Sequence, residues 1–148
     1  MNETVALARA RSNPGRLVAP FAFDPVQIML WRTVEGQDLL QIHTSDAGQA
    51  RHNFEIVLSE QALAAIVSDL GTIFDNGIKG EWVLGTWPNK ITFTFEGVRD
   101  SGPLPLVGSV TKIGSNAFLT MRPESFENLY ESLRTLMSNN RIERTREP

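Results

Sequence analysis

The chain contains no cysteine. Disulfides, thiolate zinc sites, iron–sulfur clusters and cysteine nucleophiles are therefore excluded. Histidine is almost as scarce, since only His43 and His52 occur. They lie on neighbouring predicted strands with Asp46 between them, and a trio of this kind is able to bind a metal or transfer protons. Their spacing is typical of no known site, so we predict no metal site, no cofactor and no catalytic residue.

Motifs that bind phosphate or support hydrolysis are missing as well. Gly77-Ile78-Lys79-Gly80 has too few glycines for a phosphate loop and lacks the Lys-Ser/Thr ending. The Gly-x-Ser-x-Gly elbow of hydrolases is absent. No run of consecutive apolar residues comes close to the about 18 that a membrane-spanning helix requires. Residues 1–16 lack the continuous apolar segment of a secretory signal. We therefore expect a cytoplasmic protein with no membrane partner, and the sequence disfavours an enzymatic function.

The overall amino-acid composition is typical of one soluble globular domain. The 148 residues are 41% hydrophobic and 21% charged, which is close to the average for such domains and is enough for one core. The net charge of −3 creates no strong field toward nucleic acid or anionic lipid. Any binding to a polyanion would therefore depend on local rather than global charge.

Alternating apolar residues and turn signals predict an α+β fold. We expect mainly antiparallel sheet, in one or more sheets of about six to seven strands, with two amphipathic helices. Ser59 is suited to cap the first helix, which ends at Asp75, and Pro123 is suited to open the second, which we expect to end near residue 137. The predicted strands cover residues 26–33, 38–43, 53–58, 81–86, 90–95, 106–113 and 117–121.

The pattern also predicts how the chain is divided. Residues 1–20 have a turn signal at Asn13-Pro14-Gly15 and no sustained periodicity, so we expect a flexible arm. Residues 21–138 form the single α+β domain, and the charged residues 139–148 form a disordered tail. The apolar positions of the two predicted helices are related by a constant offset, which also relates Asn53 to Asn116. This predicts a pseudo-duplicated β-β-β-α arrangement with half-repeats at about 26–75 and 81–138.

The alternation leaves large apolar side chains on the face of the sheet that is turned away from the helices. If Ile28 and Leu30 face the helices, Met29, Trp31 and Phe118 must point the other way, as must Lys90. Exposed apolar clusters of this kind mark binding or subunit interfaces. A closed barrel or a second layer would instead bury them inside the monomer. The sequence leaves both arrangements open.

The order of elements, strands and then a helix, twice in succession, resembles Whirly proteins and paired PUR repeats. The resemblance extends over about residues 26–137 and concerns element order alone, so it transfers no functional residue. It implies binding of single-stranded nucleic acid on a curved sheet. In that case the bases would stack on aromatic rings and the phosphates would meet cations. The candidates for stacking are Trp31, Phe118 and Trp87, and those for phosphate are Lys90, Lys112, Arg32 and Arg122.

Two other functions remain open at this point. The same sheet face is suited to a partner protein, as in an inhibitor, an immunity-type protein or an assembly subunit, or to a homodimer or higher homo-oligomer. The third alternative is a small-ligand binder or an enzyme with a pocket near His43 and His52. It would use a cavity between the sheet and the loops at Trp87-Pro88 and residues 103–105.

Overall fold

A computed structural model describes residues 6–23, 26–44, 53–86, 89–97, 106–112, 115–121 and 123–146, with side chains over 6–23, 26–43, 53–86, 90–97 and 124–140. The fold is α+β, as the sequence predicts. The described residues form nine strands in two antiparallel sheets, together with two helices.

The first sheet has five strands in the order β1-β5-β4-β3-β2. Inward-facing residues alternate along these strands, as in a sheet with one face on the core. Ile28 and Leu30 of β3 lie opposite Ile42 and Leu40 of β4, and all four are buried. The strands are β1 (Ala8–Arg9), β2 (Arg16–Phe23), β3 (Val26–Arg32), β4 (Asp38–Thr44) and β5 (Asn53–Val57).

The second sheet has four strands in the order in which they follow along the chain. Trp82 and Leu84 of β6 lie opposite Phe93 and Ile91 of β7, and all four are buried. Glu81, Lys90, Thr92 and Thr94, together with the half-buried Val83, alternate with them on the other face, so this sheet also has one core face. The strands are β6 (Lys79–Thr86), β7 (Asn89–Glu96), β8 (Leu106–Lys112) and β9 (Ser115–Met121).

Helix α1 (Glu60–Asp75) begins where its cap predicts. The hydroxyl of Ser59 accepts a hydrogen bond from the backbone N–H of Ala62 at 3.1 Å, which satisfies one of the free amides of the first turn. The helix ends at Asn76, and the N–H of Ile78 then donates to the carbonyl of Ile73 at 2.9 Å. Ile78 has φ +58°, a left-handed conformation that is rare for a β-branched residue. Helix α2 covers Pro123–Arg146.

One continuous hydrophobic core joins both sheets and both helices. Phe23 of the first sheet lies 6.4 Å from Phe95 of the second, measured between ring centroids. Phe95 in turn contacts the edge of Phe126 of α2 at 5.2 Å. The ring of Trp82 stacks on Phe93 at 5.1 Å, so this tryptophan is a core residue and is unavailable to a ligand.

Residues 6–20 do not form the expected flexible arm. They contain β1 and most of β2, which pair with β5 and β3 at the two edges of the first sheet. Leu7 and Pro14 of this segment are buried, as are Phe21 and Phe23 at the end of β2, and their burial offsets the entropy of ordering the segment. Pro20 and an irregular register between Leu17 and Ala19 interrupt the alternation that would have revealed β2. With β1 and β2 the strand count rises from about seven to nine.

The expected tail also differs, because α2 continues to Arg146 instead of ending near residue 137. Once a helix is nucleated, each added residue contributes a hydrogen bond without a new nucleus. Arginine and glutamate are good helix formers, so an apolar face is not needed for the extension. The element order is four strands and a helix, twice, with one extra strand before it. Internal duplication of the half-repeats stays a prediction.

Candidate binding face of the first sheet

The face of the first sheet that is turned away from the core, here called the outer face, is organised in three rows by the strand register. The first row is apolar, the second mixed and the third mainly polar. Met29, Trp31 and Val57 lie on this face, as the alternation predicts. The rows are Leu17–Trp31–Leu39–Val57, Pro20–Met29–Gln41–Glu55 and Ala22–Gln27–His43–Asn53.

Residues 10–15, here called the strap, cross the outer face. They link β1 at one edge of the sheet to β2 at the other, and contacts of Arg11 with Gln41 and Glu55 place them on this face. The N–H of Ala10 donates to the carbonyl of Asn53 at 3.0 Å. The carbonyl of Arg11 accepts a hydrogen bond from Nε2 of Gln41 at 3.1 Å. The strap therefore lies against the sheet at β5 and β4.

The far end of the strap is held by close contact with β3. Gly15 has φ +123°, a conformation that side chains other than hydrogen rarely adopt. A Cβ at this position would lie 2.4 Å from the carbonyl oxygen of Arg32 and 2.9 Å from Cα of Thr33. Pro14, just before it, is buried. Glycine is thus required for the strap to approach the backbone at the end of β3.

A polar network anchors the strap over the middle row. The carboxylate of Glu55 is 4% exposed and accepts from the Arg11 backbone at 2.8 Å, while its Oε2 lies 2.8 Å from Nη2 of Arg11. Nε2 of Gln41 also donates to Glu55 at 3.4 Å. The ring Nε2 of His43 lies 2.8 Å from Oε1 of Gln41. Such a network is satisfied only while the strap is in place.

Two groups of this network have shifted pKa values. Burial acts to raise the pKa of Glu55, but the hydrogen bonds and the charge of Arg11, with a further bond from Gln41, outweigh it and lower that pKa. The carboxylate is therefore held in its charged form. Burial lowers the pKa of His43, because the charged imidazolium loses hydration. His43 is thus held neutral beside Gln41.

Leu39 is fully buried although it lies outside the main core. Its row lies between the two attachment points of the strap, at Gln41 and Glu55 on one side and at the end of β3 on the other, so the strap passes over it. Trp31, the neighbour of Leu39 in the apolar row, is half-buried. The indole Nε1 of Trp31 is enclosed and, within the described residues, has no hydrogen-bond partner. A buried N–H without an acceptor is destabilising. The indole ring is therefore only partly available in this arrangement.

The rest of the apolar row remains accessible. Leu17 is 42% exposed and Val57 is 43% exposed, and they lie on the two sides of Trp31 and Leu39. Val18, at the register irregularity of β2, is 47% exposed. Met29 is half-buried in the next row. The strap therefore leaves part of the outer face open, and this open part is apolar.

Two arginines near this face are each engaged by a carboxylate. Arg11 lies on the strap over the outer face and pairs with Glu55. Arg32 follows Trp31 in β3, so its side chain projects to the opposite side of the strand. Arg32 donates to Asp38 through Nε at 3.1 Å and through Nη2 at 3.4 Å, and these residues are directly paired across β3 and β4. The Asp38 side chain is 8% exposed, whereas Arg32 keeps 40% exposure. Arg16, opposite Arg32 in β2, is exposed. Arg32 thus compensates a buried charge, which sequence reasoning did not anticipate.

The other sequence-predicted residues belong to the second sheet. Lys90 of β7 is exposed, and Thr92 and Thr94 follow it on the same outward side of the strand. By register, Phe118 pairs with Ser109, and Ser109 pairs with Thr94. Lys112 pairs with Ser115 at the β8–β9 turn. The side chains of Phe118 and Lys112 lie outside the described residues, as do Trp87, Arg122 and His52.

Trp31 and Arg32 are adjacent in β3, so their side chains project to opposite faces of the sheet, and Lys90 lies on the other sheet. Backbone contact between β2 and β9 joins the two sheets along these edges. Comparison of the chain with protein-family models, curated proteins and solved structures gives no match.

No group of three or more histidine, aspartate or glutamate side chains within the described ranges is placed to hold a metal ion. Neither helix, over its described residues, has the length and apolarity to cross a bilayer. His43 is occupied by Gln41 as part of the polar network.

Sequence reasoning missed Arg11, Gln41 and Glu55. Gln41 and Glu55 occupy the polar positions of alternating strands, which are the positions expected to face water. Their burial is caused by a segment distant in sequence, so local periodicity carries no signal for it. The Asn13-Pro14-Gly15 turn was the one visible sign that the chain changes direction there.

Proposed function

We propose that this protein is a non-catalytic module that binds single-stranded nucleic acid on the outer face of the first sheet. The observation that carries the proposal is Trp31, a half-buried indole in an apolar row of an antiparallel sheet, between Leu17 and Leu39. Bases stack on aromatic rings presented by sheets, and stacking is tolerant of sequence. Met29 and Leu17 extend the apolar platform beside the ring.

Arg11, on the strap over the outer face, is 44% exposed and supports contact with a phosphate backbone. Arg32 is 40% exposed and Arg16 is exposed beside it, but both project to the opposite side of their strands from Trp31 and Leu17, so they would meet phosphates only around the end of the sheet. Because Glu55 and Asp38 neutralise two of these arginines, the local positive charge is small. With two to three phosphate contacts we expect affinity to fall ~10-fold between about 50 and 200 mM salt.

The second sheet provides a continuation of the proposed path. Lys90, Thr92 and Thr94 form a polar outward side of β7 without a large apolar group. A strand leaving the first sheet would meet Lys90 as a further cation. Phe118, Lys112, Trp87 and Arg122 stay predicted contacts. The element order that resembles Whirly proteins and paired PUR repeats is consistent with this function, and the cytoplasmic location stays a prediction.

The experiment is a fluorescence-anisotropy titration with labelled single-stranded DNA, single-stranded RNA and duplex DNA of equal length. We expect salt-dependent binding of the single strands and weaker binding of the duplex. Trp31→Ala should lose one stacked base, which is worth about 1–3 kcal/mol or roughly 5- to 150-fold in affinity. Phe74→Ala is the matched control, because Phe74 is an aromatic residue 38% exposed on helix α1. Absence of single-strand binding at micromolar protein would reject the proposal.

A partner protein or a second copy of the chain is the alternative occupant. This alternative is favoured by the exposed apolar side chains of Leu17, Val18 and Val57, because they offer apolar area without hydrogen-bonding groups. Light scattering tests the homo-oligomer directly. A dimer that Trp31→Ala dissociates, in a protein that binds no oligonucleotide, would assign the face to assembly.

A further inference from the structure

The strap covers part of the face that we have assigned to nucleic acid. Hydrogen bonds hold it at Ala10 and Arg11, whereas residues 12–14 make none with other described residues. Its second end is held by the contact of Gly15 with Arg32 and Thr33. The strap is therefore attached at two points, with an exposed stretch at Ser12 and Asn13 between them.

The covered groups are suited to a ligand. Leu39 lies beside Trp31 in the apolar row and is fully buried outside the main core. The indole N–H of Trp31 has no acceptor within the described residues while the strap is in place. Displacement of the strap would expose Leu39, free the ring for stacking and open the N–H to a phosphate or base acceptor. In the closed state neither the stacking on Trp31 nor the hydrogen bond from its indole N–H can form.

We propose that residues 10–15 are an autoinhibitory strap that a single strand of nucleic acid must displace to reach Trp31 and Leu39. This inference rests on the proposed function, since it concerns the same face. The strap equilibrates between a closed state, held by Arg11 and Gly15, and an open state that binds. Nucleic acid selects the open state, so the observed affinity is reduced by the fraction of molecules that are open.

The Arg11–Glu55 anchor stabilises the closed state of the strap and is broken in the open state. The Arg11–Glu55 pair forms only when the strap is closed, because Arg11 belongs to the strap and Glu55 to β5. On opening, the Arg11 guanidinium loses its pair with the Glu55 carboxylate and becomes available to a phosphate of the ligand. Glu55 would then lie on the open face as a negative charge. The strap thus opposes non-specific binding of a polyanion to the closed protein.

The test uses a variant that lifts the strap without changing charge. In Gly15→Ala the new Cβ cannot share the space of the Arg32 carbonyl, so the second anchor should open. If about a tenth to a third of wild-type molecules are open, the variant should bind oligothymidine ~3- to 10-fold more tightly. Gly36→Ala is the matched control, because Gly36 has φ +85° but no atom near its Cβ position. It should leave the affinity unchanged.

A readout without ligand separates this inference from the proposed function. In ¹⁵N NMR spectra, the indole N–H of Trp31, identified with Trp31→Phe, should exchange faster with solvent in Gly15→Ala than in wild type or Gly36→Ala. If Gly15→Ala does not fold, Arg11→Gln combined with Glu55→Gln removes the first anchor at constant net charge and should act in the same direction.

Each outcome decides one of the two claims. Faster indole exchange without any oligonucleotide binding would support the strap and reject the proposed function. Binding by wild type, with no gain in affinity and no faster exchange in the strap variants, would reject the strap and leave the proposed function standing. Tighter binding with faster exchange supports both.

Discussion

Nη2 of Arg11 lies 2.8 Å from a carboxylate oxygen of Glu55, although the two residues are 44 positions apart in the sequence. This pair ties the N-terminal segment to the first sheet. It also gives Glu55, which is 4% exposed, the partner that a buried carboxylate requires. The strap and the outer face are therefore one structural unit.

The first prediction concerns this ion pair. Arg11→Ala should lower the free energy of unfolding more than Glu55→Gln does, because the former leaves a buried carboxylate without its cation. Urea denaturation measures the difference. Arg134→Ala is the control, since the Arg134–Glu131 pair is exposed and should contribute no more than about 0.5 kcal/mol. Equal losses for Arg11→Ala and Arg134→Ala would contradict the structural role of the pair.

The second prediction is a loss of stability in acid. The pKa values of His43 and Glu55 are both lowered in the folded protein, so at low pH the unfolded chain binds more protons. Stability should be greatest above pH 6.5, the ordinary pKa of histidine, and fall below it as the unfolded chain protonates His43. It should fall further below pH 4.5, where Glu55 contributes.

Urea unfolding from pH 7.5 to pH 4 checks this dependence. His43→Gln should flatten the upper part of the curve, and Glu55→Gln should flatten the lower part. A stability that rises on acidification through this range would show that neither group has the environment described.

The third prediction compares two adjacent leucines on opposite faces of β4. Leu39 and Leu40 are both fully buried, but Leu40 lies in the main core and Leu39 beneath the strap. Leu→Ala substitutions in cores cost about 2–5 kcal/mol, with the lower values at sites that can collapse. Because the strap can settle into the space, Leu39→Ala should cost about 2 kcal/mol and Leu40→Ala more. Urea denaturation measures both losses of unfolding free energy. An equal loss for Leu39→Ala and Leu40→Ala would refute this prediction.

The fourth prediction concerns the start of α1. Ser59→Ala removes the hydroxyl that accepts from Ala62 and should cost ~1 kcal/mol. Ser68→Ala is the control, because Ser68 lies exposed within the same helix and alanine is the better helix former. Thermal unfolding should show a lower midpoint for Ser59→Ala alone.

The sequence predicts those elements whose own side chains carry the pattern. Ile28 and Leu30 alternate along β3, and Ser59 precedes the apolar spacing of α1, so local periodicity was sufficient for both. In β2 the burial of Phe21 and Phe23 depends on β3 and on the second sheet, while Pro20 and the register irregularity conceal the alternation. The local sequence pattern does not show which distant residues will cover a side chain.

The same distinction applies to the candidate site. Trp31 could be placed on the outer face because each residue of a strand faces opposite to its neighbour. The burial of Gln41 and Glu55 and the pairing of Arg32 with Asp38 could not be predicted. They depend on a covering segment and on register, which local propensity does not determine.

The most direct measurement is photochemical cross-linking of single-stranded oligonucleotides that carry 5-iodouracil, followed by mass spectrometry of the peptides. If bases stack on the outer face of the first sheet, the major cross-link falls on Trp31, and unlabelled single strand competes it away. Cross-links confined to α1 and α2, or none at saturating protein, would contradict nucleic-acid binding at this face.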